Sequence, residues 1–510
     1  MNEYWTATSG DLSARRTPIA APPVQTTAGT RTRIVIDPAD RRQPWVGAGA
    51  AITDAAASLI WRSQNPGQRR ALLEELFSPE QGGLSAIRIP LGSCEPASQP
   101  YYTYDDMPAG QHDAWMNHFS LGEGEPGAPD ATRDLRNIIP VVQEILDINP
   151  AVKIIASPWT APAWMKTSGS LTAGGRLRFG EWTGNGYDPR RDSFEAAYAR
   201  YFVRYIDEME RYGIPIWALS IQNEPSNAAP WPAMLWTLEQ QADFGHRFLR
   251  PALDEAHPDV KLFIHDDSMH ALDRPVAESV TPEQAASFDG LAVHTYEGPY
   301  GNLYNACRAY PHWMLGMTER RCMMDETPAD ASHIMFGLIG NWLVHNGENL
   351  ITLWNLALDE RGLPNMIGAT GRRGVVTIQH ETGQVRRNLE YYMLRNFGQD
   401  VPPGSTVIGS TNHTVNGWKG GAGSVAFLTP DGGIAAHLYN PTGEPTDVSV
   451  AIGGIPGWRP VTIPAYGTVT LHRSPGALNE SRPREDEAFE LHPTGVGLAG
   501  DTAPGQGNAR

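Results

Sequence analysis

The sequence predicts an α/β protein: a (β/α)8 TIM barrel with a side all-β sandwich domain built from both chain ends. Three observations support this fold class. The 510 residues suffice for one large core and a smaller second one. Short apolar or β-branched runs alternate with longer stretches of helical period, as expected of parallel strands joined by crossover helices. Beyond these runs the chain changes to short alternating strands separated by Gly and Pro turns, which is typical of an all-β domain.

Eight runs have the composition of buried barrel strands. In chain order they are Trp45–Ala51, Ala86–Leu91, Lys153–Ser157, Trp217–Asn223, Val260–His265, Gly290–His294, Met314–Glu319 and Leu350–Asn355. Helical candidates between them are Gly67–Phe77, Ala131–Ile148, Phe194–Tyr212, Thr237–His257 and Ser332–His345. The competing arrangement, a doubly wound open sheet, commonly has a Gly-rich phosphate loop after its first strand, and none is present here. Eight units therefore predict one barrel.

The predicted domains follow these changes along the chain. Residues 1–44 form an N-terminal segment that contributes strands to the β domain, and residues 45–385 form the catalytic barrel. Residues 386–473 form the C-terminal β-sandwich. Residues 474–510 are rich in Gly, Pro and charge with little to bury, so we expect this tail to be disordered.

Composition excludes several classes of function. The net charge of −17 repels nucleic acid phosphates and anionic membrane surfaces. Three widely spaced cysteines, Cys94, Cys307 and Cys322, indicate neither a disulfide framework nor a zinc site. No transmembrane segment and no signal peptide are recognisable, which predicts a cytoplasmic protein, or a secreted one if the sequence is truncated. The oligomeric state stays open.

Two glutamates lie at the ends of predicted barrel strands, where barrel enzymes place their catalytic groups. Glu224 follows the fourth strand and Glu319 ends the seventh. Cleavage of a glycosidic bond needs one carboxyl group to protonate the leaving oxygen and one carboxylate to attack the anomeric carbon or to activate water. The 15 tryptophans agree with a sugar cleft, because indole faces pack against pyranose rings. Asn223, beside Glu224, is suited to bind the sugar 2-hydroxyl.

Several stretches, in this order, resemble glycoside hydrolase family 30, the glucosylceramidase-like retaining β-glycosidases. They are Gly47–Asp54, Tyr102–Pro108, His118–Leu121, Ala156–Thr167, Gln222–Pro225, Trp354–Asp359 and Pro364-Asn365. The resemblance implies that Glu224 is the acid/base and that Asp54, Trp159, Trp354 and Asn365 bind the non-reducing sugar. It also implies a retaining mechanism, with carboxyl groups about 5–5.5 Å apart and without a metal or cofactor.

The nucleophile has two candidates in one segment, Glu319 and Glu326. The family's seventh strand ends in Thr-Glu after a Tyr-Pro turn, and Tyr310-Pro311 precedes Thr318-Glu319 here, which favours Glu319. The basic pair Arg320-Arg321 departs from the pattern and leaves Glu326 as the alternative. We expect an ionised Glu319 and a protonated Glu224 at rest.

Two further residues are expected at the same mouth. His294 and Tyr296 follow the sixth strand, with Tyr296 placed to bond the nucleophile; a core histidine bonded to backbone is the alternative for His294. The cluster between His265 and His270 could instead hold a metal, as in a metal-dependent barrel hydrolase that uses His265, Asp266 and His294, but two carboxylates hydrolyse glycosides without one.

The function predicted from these residues is retaining, exo-acting hydrolysis of a terminal β-linked sugar through a covalent glycosyl-enzyme, of β-glucosidase or glucosylceramidase type. The alternative is an endo-acting β-glycanase of the same family, of β-1,6-glucanase, β-1,6-galactanase or xylanase type. A non-catalytic carbohydrate-binding protein is a third reading, although it would have no need of both glutamates.

Overall fold

The computed structural model describes residues 3–184, 188–272 and 276–475, apart from the side chains of Tyr304 and Cys307. Eight parallel strands close into a barrel: β1 (Gly47–Ala51), β2 (Ala86–Leu91), β3 (Lys153–Pro158), β4 (Ala218–Ser220), β5 (Lys261–Ser268), β6 (Gly290–His294), β7 (Met314–Glu319) and β8 (Glu348–Leu353). The strands pair in chain order and β8 pairs with β1, which completes the ring. The predicted barrel is confirmed.

The ends of two strands differ from the prediction. β4 stops at Ser220 instead of Asn223, and the amide of Asn223 donates to the carbonyl of Pro158 at 2.8 Å. β5 continues to Ser268 because a bulge between His265 and Asp267 lets its pairing with β6 resume. His265 and Asp266 have φ values of 80° and 56°, in the left-handed region. A bulge re-aims side chains, and here it directs Asp266 into the barrel.

Helices connect the strands on the outside of the barrel. The α-helices are Asp54–Arg62, Pro66–Phe77, Arg133–Arg136, Ile138–Ile148, Pro189–Asp192, Phe194–Arg211, Leu238–Phe244, Arg250–Ala256, Val276–Ser279, Pro282–Ala285, Asn302–Ala309, Pro328–Ser332 and Leu389–Asp400. Short 3-10 turns lie at Ala163–Met165 and Met269–Ala271, and π-helical segments at Gly245–Leu249 and His333–Leu343. Side-chain caps begin several helices; the Thr53 hydroxyl, for example, accepts from the Ala56 amide at 3.1 Å.

A nine-stranded sheet stands beside the barrel, and both chain ends contribute to it, as predicted. Its strands in spatial order are Thr17–Ile19, Glu3–Thr8, Thr468–Arg473, Ile434–Tyr439, Gly423–Leu428, Thr406–Ser410, Arg33–Pro44, Thr446–Ile452 and Ile455–Ile463. All neighbours are antiparallel except the pair of Arg33–Pro44 with Thr446–Ile452. Two short pairs outside the main sheets join Cys322–Met323 to Arg372–Arg373 and Thr414–Val415 to Lys419–Gly420, and a three-stranded sheet has the order Ala357–Leu358, Val376–Ile378, Val385–Arg387.

Each of these two units has its own apolar core. The barrel core includes Ile87, Ile154 and Leu219, and the sheet core includes Trp5 and Ile34. Among the described helices none is long and apolar enough to span a membrane. The predicted disordered tail lies outside the described residues from 476 onward, and the predicted domain boundaries stay predictions.

Candidate active site

A buried arginine organises the polar centre at the carboxyl ends of the barrel strands. Arg88 lies in β2, in an otherwise apolar run, and is completely buried. Its guanidinium donates to Glu319 at 2.6 Å, to Asp266 and Asn223 at 2.8 Å each, and to Ser157 at 3.1 Å. A buried cation is tolerated only when it is fully paired, so all four hydrogen bonds must be kept. They fix the relative positions of side chains from four different barrel segments.

Asp266 is the anionic partner of Arg88 inside the barrel. Besides Arg88 it accepts hydrogen bonds from Ser157 at 2.9 Å, Ser220 at 2.5 Å and Thr318 at 2.6 Å. Burial opposes its ionisation, but the charge of Arg88, the neighbouring His294 and the hydrogen bond from Ser220 outweigh burial and hold the pKa of Asp266 well below its usual range. Asp266 is therefore a fixed negative charge.

Glu224 and Glu319 face each other at this centre. Glu319 is the last residue of β7 and also accepts a hydrogen bond from the Tyr296 hydroxyl at 2.9 Å. Glu224 follows β4 with a φ of 44°, and its amide donates to the Asp266 carbonyl at 2.9 Å. The left-handed backbone turns its side chain toward Glu319, so that an oxygen of each carboxylate lies within 4.8 Å of the other.

His294 lies between the two glutamates and Asp266. Its Nδ1 is 3.3 Å from a Glu224 oxygen, and its Nε2 is 3.2 Å from Asp266 and 3.9 Å from Glu319. Burial favours the neutral ring, but the charge of Glu319 and the hydrogen bonds with Asp266 and Glu224 raise the pKa of His294 to about 10. His294 is thus an imidazolium at neutral pH, which replaces the backbone-bonded histidine considered from sequence.

Burial and the charge of His294 act in opposite directions on the pKa values of the two glutamates. Burial opposes ionisation of Glu224, but its hydrogen bond to His294 and the histidine charge lower its pKa. Burial dominates at Glu319 and raises its pKa, with the charge of His294 opposing. These directions belong to a coupled pair, so the resting pairing predicted from sequence, with Glu319 ionised and Glu224 protonated, stays a prediction. Carboxyl groups this close titrate as a pair.

The predicted sugar-binding residues divide into two groups. The rings of Trp159 and Trp354 stack at 5.1 Å between centroids, and the Arg88 guanidinium lies 5.0 Å from the Trp159 ring. They are therefore adjacent to the carboxylate pair. Asp54 instead accepts from the amide and hydroxyl of Ser98, each at 2.6 Å, and from Gln99 and Asn137, so its carboxylate is committed to the loop after β2.

Asn365 lies in a second polar group that the sequence did not indicate. Its side-chain amide donates to Glu95 at 2.5 Å, and Arg372 forms an ion pair with the same carboxylate. Arg372 also lies 5.9 Å from the ring of Trp231, which packs against Trp159 and Trp354. Glu95 is thereby connected to the aromatic pair through Arg372 and the partly buried Trp231.

Glu326, the alternative nucleophile, lies outside this centre. It follows the short strand Cys322–Met323 and accepts from the Met323 amide at 3.3 Å and from Arg373 at 3.4 Å. Burial raises its pKa. Glu319 thus ends the barrel strand, as the sequence pattern favoured, whereas Glu326 lies in the segment after the short strand Cys322–Met323, which pairs with Arg372–Arg373.

The metal-site reading of residues 265–270 is not supported by their contacts. Asp266 is committed to Arg88 and His294, and burial together with the charge of His294 lowers the pKa of His265 to about 3. Among the described residues, the groups whose ligand atoms lie within 4.8 Å of one another are Glu224–His294–Glu319 and Asp105–Asp113–His118.

Comparison with known proteins identifies this arrangement. The glycosyl hydrolase family 30 TIM-barrel domain matches residues 46–399, and the glycosyl hydrolase family 30 beta sandwich domain matches residues 404–471. The chain belongs to glycosyl hydrolase family 30. As a family 30 member it is a glycoside hydrolase of the retaining β-glycosidase type, with a carbohydrate as its substrate.

Relatives of known activity cover most of this family 30 chain. An endo-1,6-beta-D-glucanase of Trichoderma harzianum is 31% identical over 413 residues, 79% of each chain. The lysosomal acid glucosylceramidase of Mus musculus is 29% identical over 464 residues, 87% of this chain and 83% of that one. A solved endo-beta1,6-glucanase structure is similar with a TM-score of 0.79 and 26% identity, over 93% of this chain and 100% of that chain.

Sequence reasoning missed Arg88, Asp266 and Glu95. A signal for Arg88 was present: an arginine inside an apolar barrel strand must find anionic partners in the barrel. Asp266 had been considered only as a metal ligand. Nothing in the local pattern around Glu95 distinguished it from an ordinary loop glutamate.

Proposed function

We propose that this family 30 member hydrolyses a β-glucosidic bond, with Glu319 as nucleophile and Glu224 as general acid/base. The observation that carries the proposal is the separation of the two carboxylates, of which one oxygen each lies within 4.8 Å of the other. Inverting glycosidases hold their carboxyl groups about 6.5–9.5 Å apart to admit a water molecule, whereas retaining enzymes hold them about 5–5.5 Å apart. The shorter separation supports direct attack by Glu319.

In the first step, Glu319 attacks the anomeric carbon while Glu224 gives its proton to the glycosidic oxygen. The bond from carbon to the leaving oxygen breaks, and a glycosyl ester with Glu319 forms. Arg88 and Tyr296 hold the Glu319 carboxylate in position for this attack. In the second step the ionised Glu224 takes a proton from water, and the oxygen of that water displaces Glu319 from the sugar.

His294 stabilises the ionised form of Glu224, which is the form that the second step needs. Once the ester forms, Glu319 no longer carries charge, and the imidazolium 3.3 Å from Glu224 stabilises the carboxylate that activates water. The same contact makes the acid form of Glu224 scarce as the pH rises. We therefore expect activity to be greatest in acidic solution.

The substrate proposed is a terminal β-linked glucose unit. The stacked Trp159 and Trp354 next to Asn223 supply an apolar face and a polar group for one sugar ring at the cleavage point. Asn365 and Glu95 supply further polar groups nearby. The glucosylceramidase relative and the glucanase relative both act, by their names, on glucosides.

A second candidate is an internal bond of a β-1,6-glucan. The glucanase relatives favour it, and so do two exposed indoles on loops at the carboxyl ends of the strands. Trp115 follows β2 and is 52% exposed, and Trp182 follows β3 and is 41% exposed. Exposed indoles on this side are suited to stack further sugar units of a chain.

One experiment tests the catalytic assignment. The protein is incubated with a 2-deoxy-2-fluoro β-glucoside that carries an activated leaving group, and the labelled peptide is located by mass spectrometry. We expect an adduct on Glu319, no adduct in Glu319→Gln, and an adduct that still forms in Glu224→Gln, because an activated leaving group needs little protonation. Glu326→Gln is the matched control and should label normally. An adduct on Glu326, or release of the α-anomer from a β-glucoside in NMR spectra, would overturn the assignment.

A second experiment separates the two substrates. Release of glucose is compared for an aryl β-glucoside, glucosylceramide and a linear β-1,6-glucan. Terminal cleavage releases glucose alone, and internal cleavage releases oligosaccharides first. Under the glucan hypothesis Trp115→Ala lowers kcat/KM for glucan and leaves the aryl glucoside unchanged. An equal loss on both substrates would refute a role for Trp115 in binding distant sugars.

A further inference from the structure

The loop after β2 brings together a second group of potential ligands, separate from the catalytic carboxylates. One ligand atom each from Asp105, Asp113 and His118 lies within 4.8 Å of the others. His118 Nδ1 is 2.8 Å from an Asp113 oxygen, and that oxygen also accepts from the His118 amide at 2.6 Å. The three residues are close in sequence, so the loop itself forms the group.

Asp105 is the residue that indicates a ligand. It is 1% exposed, and neither of its carboxylate oxygens has a hydrogen-bond partner. Trp164 donates to the backbone carbonyl of Asp105 at 3.0 Å. The neighbouring Arg133 pairs with Asp106, at 3.6 Å. A buried carboxylate is strongly unfavourable without hydrogen bonds or a cation, so the Asp105 oxygens need a partner at this point.

We propose that Asp105, Asp113 and His118 bind a divalent transition-metal cation of the Zn²⁺ type. Imidazole suits zinc and its neighbours in the first transition row, whereas calcium and magnesium prefer six or more oxygen ligands. Three protein ligands and a water molecule complete a tetrahedral zinc site. Ligand atoms on such an ion lie about 3.3–3.6 Å apart for bonds of about 2.0–2.2 Å, so the side chains need only small movements.

Exposure of one ligand gives the ion a route into the site. The side chain of His118 is 67% exposed, whereas that of Asp113 is 4% exposed. An entering cation displaces the proton shared by His118 Nδ1 and the Asp113 carboxylate, and it also binds the buried Asp105 oxygens. The ion ties the two ends of the segment 105–118 together beside Trp164, on the face of the barrel that carries the catalytic residues. Its role is to hold this loop, not to take part in glycoside cleavage.

The test uses the full chain after treatment with EDTA and dialysis. Zinc is titrated by isothermal calorimetry, its content is measured by inductively coupled plasma mass spectrometry, and thermal unfolding is followed with and without zinc. We expect one zinc per chain and a higher unfolding temperature with zinc. Asp105→Asn and His118→Gln should each weaken zinc binding at least tenfold. Asp106→Asn removes an adjacent carboxylate outside the group and should bind zinc normally.

Asp105→Asn keeps the shape of the side chain and removes an uncompensated charge, so we expect it to fold. Three results would overturn the proposal: absence of stoichiometric zinc binding, unchanged binding in Asp105→Asn, and stabilisation by calcium but not by zinc. Zinc that survives Asp105→Asn and is lost in Glu224→Gln would lie at the catalytic carboxylates instead, which also refutes the site in the loop.

Discussion

Replacing His294 by glutamine removes a positive charge from between the two catalytic glutamates while retaining a polar side chain of similar reach. His294 stabilises the ionised form of Glu224, so its removal raises the pKa of Glu224. The alkaline limb of kcat/KM reports the loss of the proton that Glu224 must donate. That limb is therefore expected to move to higher pH. The acidic limb moves in the same direction, because the histidine charge also favours ionised Glu319.

The size of this shift follows from the pKa of His294 itself. The rise from 6.5 to about 10 corresponds to about 5 kcal/mol of favourable interaction in the charged state. Three carboxylates supply it: Glu319, Asp266 and Glu224. Shared among the three, this gives on the order of 1–2 kcal/mol for each, or about one pH unit for Glu224. Linkage requires the histidine to lower the pKa of Glu224 by the same amount that Glu224 raises the pKa of the histidine.

The assay is the pH profile of kcat/KM for an aryl β-glucoside with a poor leaving group, so that proton donation limits the rate. His265→Gln is the matched control, because His265 is buried in the same part of the barrel and uncharged, with a pKa of about 3. We expect its limbs to stay in place. An alkaline limb of His294→Gln that is unmoved, or moved to lower pH, would refute the assignment of His294 as the charged neighbour of Glu224.

Three further changes have definite expected outcomes. Tyr296→Phe loses the 2.9 Å hydrogen bond to Glu319, and a hydrogen bond to a charged acceptor is worth about 1.5–3 kcal/mol. We therefore expect kcat/KM to fall roughly 10- to 100-fold at an unchanged unfolding temperature, and a loss below threefold would contradict this role. Arg88→Lys keeps the charge but lacks the planar guanidinium that reaches Glu319, Asp266 and Asn223 together, so both kcat and the unfolding temperature should fall. The control Arg69→Lys changes a peripheral ion pair and should alter neither quantity. Glu348→Gln tests a buried carboxyl group whose pKa is raised by burial to about 8. The contribution of this group to stability is complete below pH 4.5 and is lost as the pH rises to about 8, so in urea unfolding the variant should match the parent at pH 4.5 and exceed it by up to about 5 kcal/mol at pH 9. A variant as stable as the parent at both pH values would argue against a neutral Glu348.

Much of the fold follows from local patterns. Buried parallel strands are apolar on both faces, so they appear as short continuous runs, and all eight runs became barrel strands. Strand ends were harder to place. The bulge in β5 and the early end of β4 depend on hydrogen bonds with neighbouring strands, which the local sequence does not contain.

The candidate site was predicted in part. Glu224 and Glu319 lie at the ends of strands, a position the sequence reveals, and their neighbours Asn223, His294 and Tyr296 were found with them. Asp54 was also predicted to bind sugar, and its contacts with Ser98, Gln99 and Asn137 could not be foreseen, because those residues come from loops distant in sequence. Its assignment to the sugar stays a prediction.

The sequence by itself determined the barrel, the all-β side domain and the family, and it located two glutamates at the ends of barrel strands, since each rests on residue types at characteristic spacing. Only the tertiary structure decided which groups are charged. Arg88 meets Asp266 and Glu319, 178 and 231 residues away, because closure of the barrel directs their side chains to one buried point. At that point low dielectric makes each charge depend on its neighbours, so ionisation at the site is a property of the assembled barrel.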